Sequence, residues 1–178
     1  MSDLNHNHRR NRRFRLEFLE CRELLSTFAH PAHPAVDVSP LARGHSEIIK
    51  GTLTGTGTLA PVSISAGTAR FRATGNLTIL GAASLVSSDS YSVSRNHKIK
   101  YSNGAATLTD SSGDTIIASF KGSGKATSAG IDTFKVKGPV TGGSGLYAGA
   151  AGRVSASGSL SVGTRAFSIT LTLTLKHT

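Results

Sequence analysis

The chain has 178 residues, of which 38% are hydrophobic; this is enough for one domain with a true core and too little for two. A single cysteine, Cys21, excludes an intrachain disulfide and any Cys-based metal site. No apolar run approaches the roughly 20 residues a helix needs to cross a bilayer, so no transmembrane helix is expected.

The formal net charge is +10, and it is unevenly distributed. Residues 1–43 hold seven Arg against five acids, whereas residues 44–178 hold thirteen Lys and Arg against five. The body is the basic part. Either it meets anionic partners, or it simply presents a solvated face that keeps the protein soluble.

In chain order, "MSDLNHNHRRNRRFR" (1–15) is polar and Arg-rich, a composition that predicts disorder. Next, Phe14, Phe18, Cys21, Leu25 and Phe28 recur at spacings of four, three, four and three, the signature of one helical face. Glu17, Glu20 and Glu23 interrupt every apolar stretch, so this is not an ordinary secretory signal. The segment "RLEFLECRELLS" (15–26) resembles the LE-x-LE-x-R-x-LLS motif that opens many exported planctomycete proteins. Arg15, Leu16, Glu17, Leu19, Glu20, Arg22, Leu24, Leu25 and Ser26 match it, and Cys21 replaces a residue more often acidic or proline. The resemblance implies export, to the cell envelope or the exterior.

Residues 29–46 hold three of the five prolines and no periodicity, as an extended linker would. His6, His8, His30 and His33 have no acidic or Cys partner at ligand spacing, so neither a metal site nor a cofactor is expected. The predicted organisation is a leader and amphipathic segment over 1–28, a linker over 29–46 and a β-domain over 47–178.

From about residue 48 the apolar period becomes two. Leu53, Gly55, Gly57 and Leu59 share one face of the first strand; Ala69, Phe71, Ala73, Gly75, Leu77 and Ile79 share one face of the second. Phe167, Ile169, Leu171, Leu173 and Leu175 do the same in the last. Strict alternation predicts antiparallel sheet with one wet face. Weaker strands fit at 84–93, 97–102, 105–110, 114–121, 131–138 and 154–162, with turns at 94–96 and 111–114. About nine strands on short turns, with no helix among them, leave a sandwich or a closed barrel. Gly55, Gly57, Gly75 and Gly158 lie on inward faces, where they cost packing. A strongly coiled barrel repays that cost, because each bend admits a bulky residue opposite. A closed antiparallel barrel of about eight strands is the predicted fold.

The stretch "VTGGSGLYAGAAG" (140–152) lacks the helix and the Gly-Lys-Ser/Thr triplet of a phosphate-binding loop. It resembles instead the I-x-GGTG-x-[FY]-x-x-A-x-G signature of the allene oxide cyclase and dirigent-like barrels and their uncharacterised bacterial relatives. Gly142, Gly143, Ser144, Gly145, Tyr147, Ala150 and Gly152 fall on that pattern, with Ser in place of Thr at 144. The resemblance implies an eight-stranded antiparallel barrel. It carries over no catalytic residue: the cyclases rely on a carboxylate and a cysteine, and residues 44–178 contain no Cys. The buried Asp and Arg of dirigent-type chemistry have no motif match either.

One hairpin differs from the rest. With a three-residue turn at 94–96, Val93 pairs with His97, Tyr91 with Ile99 and Asp89 with Tyr101. Asp89, Tyr91, His97 and Tyr101 then point inward, as the convergent polar groups of a ligand site do. A slip of one residue would instead leave Asp89 and His97 in solvent. No nucleophile, base and orienting group stand at recognisable spacing, so no enzyme is indicated.

On the outer face, Arg70, Arg72, Lys98, Lys100, Lys121, Lys135, Lys137, Arg153 and Lys176 take outward positions without interleaved aromatics. That favours an anionic polysaccharide over specific nucleic-acid binding. Three functions fit: an exported, non-enzymatic surface module; a lipocalin-like or cyclase-like barrel enclosing a small apolar molecule; and an adhesin for anionic polymers. A barrel packed solid with side chains would exclude the second.

Overall fold

The computed structural model describes residues 46–176. The leader, the export-type motif and the expected linker up to residue 45 lie outside the described residues, and Ser46 already belongs to the first strand. Eight strands follow in order: β1 (Ser46–Ser63), β2 (Ala66–Leu77), β3 (Gly81–Val93), β4 (Lys98–Asp110), β5 (Thr115–Ala126), β6 (Ile131–Gly143), β7 (Ala151–Ser161) and β8 (Ala166–Lys176). Each pairs antiparallel with the next, and β8 returns to β1 to close the barrel. Closure leaves no strand edge unpaired, which removes a template for aggregation. The expected closed antiparallel barrel is what the chain forms.

Inward positions hold the apolar set of each strand, and outward positions hold Thr, Ser, Lys and Arg. Across the β1–β8 pair the outer face carries a Thr52–Thr170 hydroxyl contact of 3.0 Å. The bulky-residue expectation holds at two inward glycines: a Cβ on Gly57 would strike the Phe71 ring, and one on Gly158 would strike Phe134. Tyr101 covers Gly124 and Phe120 covers Gly104 in the same way.

Three details differ from the sequence reading. The expected strands 97–102 and 105–110 are one strand, β4, interrupted by a one-residue bulge. Pairing to β3 shifts between Ser88 and Ser90, and pairing to β5 shifts between Tyr101 and Gly104. Asn103 sits in the bulge at φ +52, a left-handed conformation that asparagine tolerates better than most residues. The bulge reverses the alternation, so Ile99 and Tyr101 point inward on odd numbers and Gly104 and Leu108 on even ones. A strict period-two reading therefore splits β4 in two. The second difference is Ile79, which lies in the β2–β3 turn and is 64% exposed while Leu80 is buried in its place. The third is the β3–β4 register, described below.

The barrel has two unlike ends. At the lower end lie the β2–β3, β4–β5 and β6–β7 connections. There Ile49, Leu53, Leu77, Leu80, Ile116, Val140, Leu173 and Leu175 pack into a continuous core. The glycine stretch caps that end. After β6 it makes a 3-10 turn, Gly145–Tyr147, that buries Tyr147 and leads to buried Ala150. Gly145 requires its glycine twice over: φ is +58, and a Cβ would run into the Asp114 carboxylate. Asp114 Oδ2 accepts from the Leu146 amide at 3.1 Å, and the Ser144 hydroxyl accepts from the Thr115 amide at 3.1 Å. The amides of Ser144, Tyr147, Ala148 and Ala150 donate to backbone carbonyls. These amides satisfy the chain itself, which makes the stretch a structural cap.

Candidate functional site

The upper end carries the β1–β2, β3–β4, β5–β6 and β7–β8 turns, and it is not filled. A cavity of about 260 Å³ occupies this half of the barrel. It reaches the surface beside Ile64, which lines it and is wholly exposed.

Four aromatic rings form a layer across the interior, one from each even-numbered strand. Phe71 (β2) stacks on Phe167 (β8) at 4.5 Å between centroids, and Phe167 stacks on Phe134 (β6) at 5.7 Å. Phe134 meets Tyr101 (β4) edge to face at 6.2 Å. All four line the cavity. Alternation explains the layer, since inward residues of every second strand lie at similar heights in a tilted barrel. Glycines on neighbouring strands, Gly57 and Gly158 among them, supply the room.

Besides the Tyr101 hydroxyl of that layer, the wall carries four polar side chains: Ser87, Asp89, Tyr91 and Asp132. Asp89 is only 6% exposed. Its Oδ1 is buried without a hydrogen-bond partner, the one such side-chain atom among the described residues. Burial pushes its carboxyl up to about 6. Asp132, half-buried on β6, is also raised by burial. The Tyr101 hydroxyl is raised by burial first, then by the Asp132 and Asp89 carboxylates, which places its phenol in the field of both. The 21 cavity-lining residues include no Lys, Arg or His.

Three of the four residues expected inside do line the cavity: Asp89, Tyr91 and Tyr101. His97 does not. The hairpin closes at Ser94–Lys98, where the Ser94 amide donates to the Lys98 carbonyl at 2.9 Å, and the His97 amide donates to Ser94 at 3.0 Å. His97 occupies the turn at φ +57 and is exposed. The register therefore moves by two residues from the expected one: Val93 pairs with Ile99 and Tyr91 with Tyr101. A shift of two preserves which face each side chain takes. Asp89 and the tyrosines stay inside, and only the residue at the turn is lost. Asp89 sits opposite the β4 bulge, a common position for functional side chains.

Asp132 is the residue that sequence reasoning missed. Its signal was present, because Asp132, Phe134 and Val136 alternate with Thr133, Lys135 and Lys137, putting the carboxylate on the apolar face. The glycine signature, Gly142 to Gly152, lies at the opposite end and contributes nothing to the cavity.

The nine basic residues expected outside are all exposed. On β4 to β7 they form a patch, with Lys121 directly opposite Lys137 and Lys98 opposite Lys125. No Asp or Glu takes an outward position on these four strands. Neither the known protein families nor the curated proteins include a match to this chain.

Proposed function

We propose that this protein is an exported binding module that holds one small, largely apolar molecule in the upper half of its barrel. The observation that carries the reading is the 260 Å³ cavity in an otherwise well-packed barrel. It lies just below the range of about 300–1,000 Å³ usual for ligand pockets, which points to a single ring system or a short chain. Its aromatic layer and few convergent polar groups fit the general character of such sites. Export is supported by the motif-like segment 15–26 alone.

The test is direct. The chain has three Tyr and no Trp, and Tyr91 and Tyr101 line the cavity, so tyrosine fluorescence reports on its contents. A panel of one-ring compounds is expected to quench that emission saturably and to raise the melting temperature by mass action. Ala106→Phe fills the cavity and should abolish both effects in a protein that still melts cooperatively. A panel without effect on either signal would leave a cavity with no ligand. Export is expected to fail in the native host when Leu24 and Leu25 become Asp; an unchanged extracellular yield would overturn that half.

A second reading, adhesion to anionic polymers, is favoured by one specific feature of the outer face. Like charges placed directly opposite on neighbouring strands are destabilising. This barrel carries two such pairs, Lys121–Lys137 and Lys98–Lys125, with no acid between them.

A further inference from the structure

The charge inside the cavity does not match a purely apolar occupant. Asp89 is nine-tenths buried, its Oδ1 has no partner, and Asp132 faces the same space from β6. The polar groups that share the cavity with Asp89 are Ser87 and Tyr91 on its own strand, Tyr101 on β4 and Asp132 on β6, none of them cationic. An ionised carboxylate so placed costs several kcal/mol unless a counter-charge or donor meets it. Among the described residues none is supplied, since every Lys and Arg on the strands is exposed. A neutral hydrocarbon would fill the volume and leave the Asp89 oxygen orphaned. The rest of the wall is apolar, aliphatic side chains together with aromatic rings that include Phe71, Phe134, Phe167, Tyr91 and Tyr101, and aromatic rings attract cations through their quadrupoles.

From this combination we infer that the cavity takes a small organic cation, an amine or quaternary ammonium group attached to an apolar body. The inference rests on reading the cavity as a ligand site, and it adds the chemical class. The cationic head meets Asp89 and Asp132 beside Tyr101, and the body lies against the aromatic layer. Arg95, His97 and Arg165 stand on the upper turns but are exposed. Salt at 0.15 M screens them over about 8 Å, whereas the interior carboxylates act where little water intervenes.

Four probes separate the possibilities on the full-length protein: benzylamine, benzyl alcohol and ethylbenzene, which match in size, and the larger quaternary cation benzyltrimethylammonium. Calorimetry and ligand-observed NMR at pH 7.5, where the Asp89 carboxyl is mostly ionised, give their affinities. The two cations are expected to bind at least tenfold more tightly than the alcohol and the hydrocarbon. Asp89→Asn should erase that preference while leaving ethylbenzene binding unchanged or improved, and Asp132→Asn should reduce the preference in part. Circular dichroism confirms that each variant is folded. Equal binding of all four probes, or a preference that survives in both variants, would overturn the cation while leaving the cavity a ligand site. A preference for the alcohol would assign Asp89 to a neutral donor and overturn it too. Binding of none of the four would sink the cavity reading and the cation together.

Discussion

At the residue scale, the burial of the Asp89 carboxyl has a direct consequence for stability. Its folded pKa, about 6, lies above its unfolded value of about 3.9, so the fold binds its proton more tightly than the unfolded chain does. The protein is therefore most relaxed at this site below pH ~4. It loses stability as pH rises towards about 6, and above that the full penalty applies, roughly 3 kcal/mol. Asp89→Asn removes the titration. The variant should equal the parent near pH 4 and exceed it at pH 7.5 by up to roughly 3 kcal/mol in urea unfolding. A variant less stable than the parent at pH 7.5 would mean that the carboxylate has a stabilising partner. Destabilising charges retained in a cavity are a mark of functional sites, whose chemistry opposes stability. Asp89 was legible in the sequence because it shares a strand face with Leu85, Tyr91 and Val93. His97 was misplaced because a turn's length is set by a few backbone hydrogen bonds that composition does not reveal.

At the scale of the element, β4 decides which side chains enter the cavity. Its bulge at Asn103 lets Ile99 and Tyr101 face inward above it while Gly104 and Leu108 face inward below. Deleting Asn103 would restore strict alternation and drive one of these sets outward. Ile99 and Tyr101 are 4% and 8% exposed, and burying such side chains is worth about 1.5–3 kcal/mol each. The deletion should cost several kcal/mol or abolish cooperative unfolding. Asn103→Gly keeps the residue count and suits the positive φ, so it should fall within about 1 kcal/mol of the parent. Equal stability of the deletion and the glycine variant would show that the strand pairs without its bulge. The sequence marks this element poorly. A phase reversal inside one strand and a short turn between two strands look alike when only alternation is read.

At the scale of the whole barrel, the distribution of charge is the governing feature: carboxylates inside at the upper end, lysines and Arg153 outside on β4 to β7. The outer patch acts through long-range attraction that salt weakens. The protein should bind a heparin-type resin and elute at a defined salt concentration. Lys121→Gln with Lys135→Gln and Lys137→Gln should elute earlier, while the melting temperature stays level or rises as the opposed lysines are relieved. Unchanged elution would reduce the patch to a solvated face.

Alternation and glycine placement alone determined that this chain makes antiparallel strands curling into a barrel. The pleat ties each side chain to one face, and only strong curvature accommodates Gly57 and Gly158 within good strands. They also determined that Asp89, Tyr91 and Tyr101 share the inner face. Whether that interior is full or hollow was decided only by the tertiary structure. Filling depends on how side chains from eight strands meet at each height, and adjacent heights turned out differently: aliphatic core below, aromatic layer and open space above. That Asp89 and Asp132 line the same cavity was likewise a tertiary outcome, because two strands separate β3 from β6 in the wall and only closure brings their inner faces to one cavity.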